Sequence, residues 1–291
     1  MITLINIQRN YYGTGTSALN WRENQFDVFM KPGSTVGSPV TITDYSRLPP
    51  SFTFLNEVVT GSAGSGDGTT GYIAPDATHG WIRGTVGIDV PASFSVGVAV
   101  PNASLYIADE LREGMQWPKD IPIKVLYEKE TNATHRTTLD TYYSPPLSEL
   151  VYWFLQRSIN QYGELIVKTI ANQFGRYINS VLPTYCEKEH GIEQTAVATL
   201  DGSGLSPQNR ITTWAISHVL YDVRKKESWF PAYEAAIPII DNIHMKPGLI
   251  RSVLSYSGYV NSKVFSFIIN GYNGDTGTMR QKMWNLLDTL K

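Results

Sequence analysis

The chain has 291 residues, more than one compact core usually takes, which points to two units. Hydrophobic residues make up 42% and charged residues 17%, so there is ample apolar material for packed cores and no case for global disorder. Lys plus Arg is 24 and Asp plus Glu is 26, and the net charge of -2 gives no electrostatic argument for nucleic acid or an anionic membrane surface. The single cysteine, Cys186, excludes an internal disulfide framework and any multi-cysteine zinc site, and no cofactor or metal is expected. The opening stretch from Met1 to Asn10 has no cationic segment followed by a long apolar run, so no export signal is expected in it. The longest apolar runs, such as Val264 to Ile269, are too short to span a bilayer.

From residue 1 to about residue 100 the chain is rich in Gly, Thr, Ser and Val, with short runs such as Phe26 to Met30 and Val36 to Ile42. These read as strands separated by turns, for example Lys31-Pro32-Gly33. Asn102 or Ser104 can cap a helix with Leu105, Ala108, Leu111 and Met115 on one face. After a connection from Val125 to Thr138 the pattern turns helical. Leu147, Leu150, Val151, Phe154 and Leu155 follow helical spacing behind Ser144-Pro145-Pro146, and Leu165, Ile166, Thr169, Ile170 and Phe174 repeat it up to Gly175. Further helices are predicted from Arg176 to His190, ended by Gly191, and from Pro207 to Lys225 with Ser206 as N-cap. Strand-like runs follow at Ile239 to Lys246, Leu254 to Val260 and Lys263 to Ile269. A closing helix from Asp275 or Thr276 to Leu290 would bury Met279, Met283, Leu286, Leu287 and Leu290.

Several motifs have modest readings. Gly66 to Gly71 fits G-x-G-x-x-G, but Tyr72-Ile73-Ala74-Pro75 reads as extended chain where a phosphate-binding loop needs a helix, so it is a glycine loop. Cys186 and His190, four apart on a helix, could share a metal, but two ligands make no site; a packed cysteine beside a surface histidine explains them. There is no H-E-x-x-H and no G-x-S-x-G, which removes support for a zinc peptidase or an α/β-hydrolase. Ser158-Ile159-Asn160-Gln161 matches a capping box. Polar residues two apart point to different sides of a continuous helix, so Ser158 and Asn160 can line one cleft only if the helix breaks there.

Asp201-Gly202-Ser203-Gly204-Leu205-Ser206-Pro207-Gln208-Asn209-Arg210-Ile211-Thr212 resembles the D-G-S-G-L-S-x-x-N-x-[VI]-[ST] signature of the peptidase S13 family of penicillin-binding D-alanyl-D-alanine carboxypeptidases and endopeptidases. Ser144 to Glu149 is similar to the family's S-P-P-L-S-E, and Ser158, Asn160, Tyr162 and Glu164 to its S-x-N-x-Y-x-E. Lys246-Pro247-Gly248 stands in the place of K-[ST]-G, and the two runs after it resemble the family's final strands. Tyr11-Tyr12-Gly13 and Asn20 to Asn24 resemble the domain inserted after the nucleophile segment. The resemblance is collinear over almost the whole chain. It implies an α+β architecture: residues 1–135 as a β-rich inserted domain, and residues 136–291 as the C-terminal part of a serine β-lactamase/transpeptidase-like domain.

The resemblance also implies roles. Ser158 would relay a proton near the nucleophile, Asn160 would bind a substrate amide, Lys246 would attract the substrate carboxylate, and Gly248 would be a further substrate-binding position. It implies peptidoglycan stem peptides or a β-lactam as partners and a periplasmic or extracellular location. Three departures stand out. No serine of the chain has a lysine three positions on, so the Ser-x-x-Lys pair that forms and activates the nucleophile is absent. Pro247 replaces the Ser or Thr that would offer a hydroxyl, and the approach from Ile237 to His244 is shorter than the family's. Three readings follow: a fragment whose remainder lies upstream, a degenerate member that binds cell-wall peptide or a protein partner, or an unrelated structural protein. The chain alone is expected to be inactive. Apolar faces that the family's missing segment would cover are expected to be met by self-association, a partner chain or repacking.

Overall fold

The computed structural model describes residues 10–49, 51–126, 137–138 and 140–291. The chain divides into two units, Met1–Thr141 and Tyr142–Lys291. The expected boundary between residues 135 and 136 lies outside the described residues, as does the N-terminal stretch before Asn10.

In the first unit, alternation at Phe26, Val28 and Met30 makes β1 (Gln25–Lys31) a strand with one face fully buried. It is followed by β2 (Thr41–Tyr45), β3 (Thr53–Gly61), β4 (Thr70–Ile73), β5 (His79–Gly87), β6 (Ser95–Ala99) and α1 (Ala103–Gly114). One antiparallel sheet has the order β2-β1-β6, and a mixed sheet has the order β3-β5-β4, in which β3 and β5 run parallel. Phe26, Val28, Val58, Ile73, Ile82, Val96 and Val98 from the two sheets share one core with Tyr106 of α1. The run from Val36 to Ile42 is not one strand. Gly37 has φ +86° and Pro39 lacks a donor, so regular pairing starts only at Thr41.

Helix α1 is capped by Asn102, whose side chain accepts from Leu105 N at 2.8 Å. Its buried face differs from the expected one. Tyr106 and Ile107 face the core, whereas Leu111 and Met115 are about half exposed. Arg47 supplies a reason for this rotation, because it reaches Asp109 at 3.0 Å, Glu110 at 2.6 Å and also Glu113, anchoring the carboxylate side of the helix. Residues Gly66 to Thr69 form a loop and Thr70 and Gly71 already belong to β4, so extended chain and no helix follows the glycines, as expected.

The second unit contains α2 (Leu147–Arg157), α3 (Asn160–Gln173), α4 (Ile178–His190), β7 (Val197–Ala198), β8 (Arg210–Ile211), α5 (Thr213–Lys226), α6 (Phe230–Ala236), β9 (Ile239–Ile240), β10 (Ile243–Ile250), β11 (Val253–Val260), β12 (Lys263–Asn270) and α7 (Thr276–Asp288). The last four strands form an antiparallel sheet in the order β12-β11-β10-β9. One face buries Ile243, Met245, Leu254 and Tyr256 against Met283 and Leu287 of α7. Tyr259 on the other face packs with Leu155 of α2, Leu220 and Val223 of α5 and Phe230 of α6. No helix among the described residues is long and apolar enough to cross a membrane.

Three expectations need correction here. The run from Ile239 to Lys246 is split into β9 and β10 by Asp241 and Asn242, whose φ values of 50° and 59° make a two-residue hairpin turn. The helix expected from Pro207 starts only at Thr213, capped by Thr212, because the preceding residues are held in a closed loop described below. Leu286 is 54% exposed, since the stripe of α7 that faces the sheet runs through Met279, Met283 and Leu287.

His190 is no surface residue: its side chain is 5% exposed and Nδ1 lies 3.0 Å from Asp222 Oδ2, while Cys186 is buried as expected. Lys226 Nζ reaches the same carboxylate oxygen at 2.6 Å. Lys226 first, and His190 second, hold the Asp222 pKa down to about 2 from 3.8. Among the described residues, no group of three His, Cys, Asp or Glu side chains could hold a metal.

Two outcomes are expected. Met283→Ala removes a fully buried side chain and should cost about 2–5 kcal/mol in urea unfolding, whereas Leu286→Ala should change stability by about 0.5 kcal/mol or less. The Asp222 carboxylate has a lower pKa folded than unfolded. Its stabilising contribution is therefore complete above about pH 4 and is lost as the pH falls through about 2. Urea titrations across that window should show a steep loss for the natural chain and a shallower one for Asp222→Asn.

Candidate functional site

Helix α2 begins behind Pro145-Pro146 and stops at Arg157, because Ser158 adopts the left-handed conformation with φ 53° and ψ 45°. For a residue with a Cβ this costs on the order of 1–2 kcal/mol, so the surrounding structure must impose it. Helix α3 then opens on Asn160, with Ile159 as its non-helical cap residue. The capping-box reading is therefore wrong. Neither side chain of that pattern caps α3, and Ser158 instead terminates α2. The break is the feature that lets Ser158 and Asn160 stand on one side of the chain.

Strand β10 brings Lys246 to the same place. Alternation along β10 sends Ile243 and Met245 into the α7 core, so Lys246 projects from the opposite face. There its ammonium donates to Ser158 Oγ. Burial pushes the Lys246 pKa below its usual value of 10.5, because the charged form loses water that a single hydroxyl does not replace. Directly across the sheet, Lys246 pairs in register with Ser257, whose Oγ is 2.9 Å from Ser266 Oγ. A row of polar side chains thus crosses three strands and ends at the break between α2 and α3.

Pro247 and Gly248 follow from the geometry of β10. The Ile250 to Val253 turn has two central residues, so Ile250, Gly248, Lys246 and His244 bond to β11, and Pro247 faces away from it. Strand β9 pairs with Ile243 and His244, and Met245 N donates to Pro238 O at 2.9 Å, so among the described residues no strand pairs with Pro247 on that side and its missing donor leaves the ladder intact. Gly248 pairs with Ser255, and an added Cβ would stand 2.5 Å from Ser255 Oγ.

The loop from Asp201 to Asn209 is fastened to α3 close behind Asn160. The Asp201 carboxylate accepts from Gly204 N at 2.8 Å, Ser206 N at 2.6 Å and Asn209 Nδ2 at 2.8 Å. Asn209 Oδ1 in turn accepts from Leu200 N at 2.7 Å, and the β7–β8 pair closes the base. Glu164, one helical turn after Asn160, accepts from Gly202 N at 3.0 Å and Ser203 N at 3.1 Å. Helix and loop approach at two glycines. A Cβ on Gly163 would stand 2.5 Å from Gly202 O, and one on Gly202 would stand 2.2 Å from Gly163 O.

Ser158, Lys246 and the start of α3 are thus brought together, and Gly248 lies two residues along the same strand. Glu164, Gly163 and Asp201 are structural supports that sequence reasoning did not assign. Glu164 and Asp201 carried a signal, because both belong to the quoted stretches, but backbone N–H groups as their partners are invisible in sequence. Replacing Glu164 by Ala should strip two charge-assisted hydrogen bonds, cost about 1.5–3 kcal/mol, and speed amide exchange at Gly202 and Ser203. Glu164→Gln keeps an acceptor and should lose less.

The sequence profile of the D-Ala-D-Ala carboxypeptidase 3 (S13) family matches residues 6–290. No curated protein matches the chain. Among solved structures, the chain is similar to penicillin-binding protein 4 from Haemophilus influenzae, determined in complex with a β-lactam. That similarity has a TM-score of 0.68 at 19% identity and covers 96% of this chain and 71% of that one. At this identity the likeness speaks for the fold, an α+β penicillin-binding architecture with a β-rich portion. The profile match over nearly the full length carries the assignment: the chain belongs to the S13 family of D-Ala-D-Ala carboxypeptidases.

Proposed function

We propose that this chain provides the substrate-holding part of a D-alanyl-D-alanine carboxypeptidase site and binds the C-terminal end of peptidoglycan stem peptides. The observation that supports this best is the Lys246 to Ser158 hydrogen bond at the α2–α3 break. In this reading the Lys246 ammonium attracts the peptide's terminal carboxylate, Asn160 binds an amide of the peptide backbone, and Gly248 leaves room for the chain to lie along β10. Ser158, already bonded to a lysine, is placed to pass a proton to or from a neighbouring group. A β-lactam, which also carries a carboxylate, would be held by the same residues.

Acyl transfer requires a nucleophile with its own base, and no serine here is followed three residues later by lysine. Within these residues the reading is therefore of binding without acylation, either as part of a longer enzyme or as a degenerate member that retains peptide binding. A location where peptidoglycan is accessible, periplasmic or extracellular, belongs to the same proposal.

Two measurements test it. Incubation with a fluorescent penicillin followed by denaturation should leave no labelled band. A stoichiometric adduct that disappears in Ser158→Ala would make Ser158 a nucleophile and overturn the non-covalent reading. Titration with a D-alanyl-D-alanine peptide, followed by NMR, should shift resonances near Lys246 and Asn160. Lys246→Gln should weaken that binding by about tenfold or more, the loss of one charged hydrogen bond. The carboxylate needs a protonated lysine, so binding should fade as pH rises through the Lys246 pKa, below the ordinary value of 10.5. Binding unaffected by Lys246→Gln would sink the site assignment.

A further inference from the structure

A glycine that follows an aspartate or asparagine is a chemical liability, because without a Cβ its backbone nitrogen can reach the preceding side-chain carbonyl carbon. The chain has four such pairs: Asp67-Gly68, Asp201-Gly202, Asn270-Gly271 and Asn273-Gly274. By local sequence the two asparagine pairs are equivalent. The fold separates them. Gly68 N donates to Thr85 O at 2.8 Å, Gly202 N to Glu164 Oε1 at 3.0 Å, and Gly271 N to Ser252 O at 2.7 Å. A nitrogen held in this way must release its acceptor before it can turn toward a side chain.

Gly274 is placed differently. It lies with Asn273 in the exposed connection between β12 and α7, and its N–H has no hydrogen-bond partner among the described residues. Its φ of +96° is one that a residue with a Cβ rarely adopts, so the turn itself calls for glycine here. The neighbours on both sides are anchored. Tyr272 packs with the α7 cluster and its hydroxyl is 2.8 Å from Thr276 Oγ1, while Asp275 caps α7 by accepting from Thr278 N at 2.6 Å.

We propose that Asn273-Gly274 is a site of spontaneous deamidation, and that hydrogen bonds on the glycine nitrogens hold the other three pairs inert. Gly274 N bonds to Asn273 Cγ as the Cγ–Nδ2 bond breaks, and ammonia leaves with the proton from Gly274 N. Water then opens the resulting succinimide at either carbonyl, giving aspartate or isoaspartate at position 273. Either product sets a new carboxylate close to Asp275 at the N-terminus of α7. Isoaspartate also lengthens the backbone by a methylene between the Tyr272 and Asp275 anchors, which should loosen the cap and speed amide exchange in the first turn of α7. None of this depends on peptide binding at Lys246.

Incubation of the folded full chain at mildly alkaline pH, then trypsin digestion and mass spectrometry with electron-transfer fragmentation, tests the proposal. A single tryptic peptide, Val264 to Arg280, carries both asparagines, so each is the other's control. Conversion at Asn273 should exceed that at Asn270 by about fivefold or more, the protection given by one hydrogen bond. In urea, where neither nitrogen is held, the two should convert at comparable rates. Glu164→Ala frees Gly202 N and should raise isoaspartate at Asp201, whereas Glu164→Gln keeps an acceptor and should raise it less. No conversion at Asn273, equal conversion of the two asparagines in the folded chain, or the same preference for Asn273 in urea overturns the inference. So does a folded Glu164→Ala chain in which Asp201 stays as inert as before. If that variant fails to fold, the comparison of the two asparagines in the natural chain decides by itself.

Discussion

A lysine that leaves water must find a partner, and the placing of Lys246 against Ser158 organises much of the second unit. The ammonium projects from a strand whose opposite face is sealed by α7, so it cannot turn away into that core without burying an unpaired charge. Its hydroxyl partner is available only because α2 stops at Ser158 in a left-handed turn and α3 restarts two residues later. The cost of that turn is met by packing on both sides, with Leu155 of α2 in the core shared with Tyr259 of the sheet, and Val167 and Ala171 of α3 buried against Val181 of α4.

The D-G-S-G stretch has a physical purpose in this arrangement. Asp201 gathers two backbone donors and the Asn209 amide into a closed loop, and Glu164 clamps that loop onto the first turns of α3. The two glycines at the contact let a helix backbone and a loop backbone meet at a distance no side chain would allow. Asn160 therefore sits at the start of a helix that is braced from behind. Pro247 shows the opposite economy: on the side of β10 that β9 does not reach, a missing N–H costs the sheet nothing, so the replacement alters the chemistry offered at the site and leaves the fold intact.

Much of this was readable from residue order. The alternation in β1, the hairpin strands β11 and β12, the glycine stop of α4 and the need for a helix break at Ser158 all follow from local patterns that tertiary contacts reinforce. The family signature was legible because it is long and ordered. Where the reading failed, a local pattern lost to longer-range contacts. Leu111 and Met115 made an acceptable apolar stripe, but Arg47, distant in sequence, draws in the carboxylates of α1 and turns Tyr106 and Ile107 to the core instead. Ser206-Pro207 looked like a helix start, but the Asp201 carboxylate captures Ser206 N and delays α5 to Thr213.

By itself the sequence determined the α+β class, the family and the absence of a Ser-x-x-Lys pair, because composition, periodicity and motif order are properties of neighbouring residues. Only the tertiary structure decided that Ser158 ends α2 rather than capping α3, that Lys246 reaches its hydroxyl, and that Glu164 holds the loop at Gly202 and Ser203. Each of these depends on partners far apart in the chain, 88 residues in the case of Ser158 and Lys246, and no local preference encodes which side chain will stand opposite when the sheet and helices close.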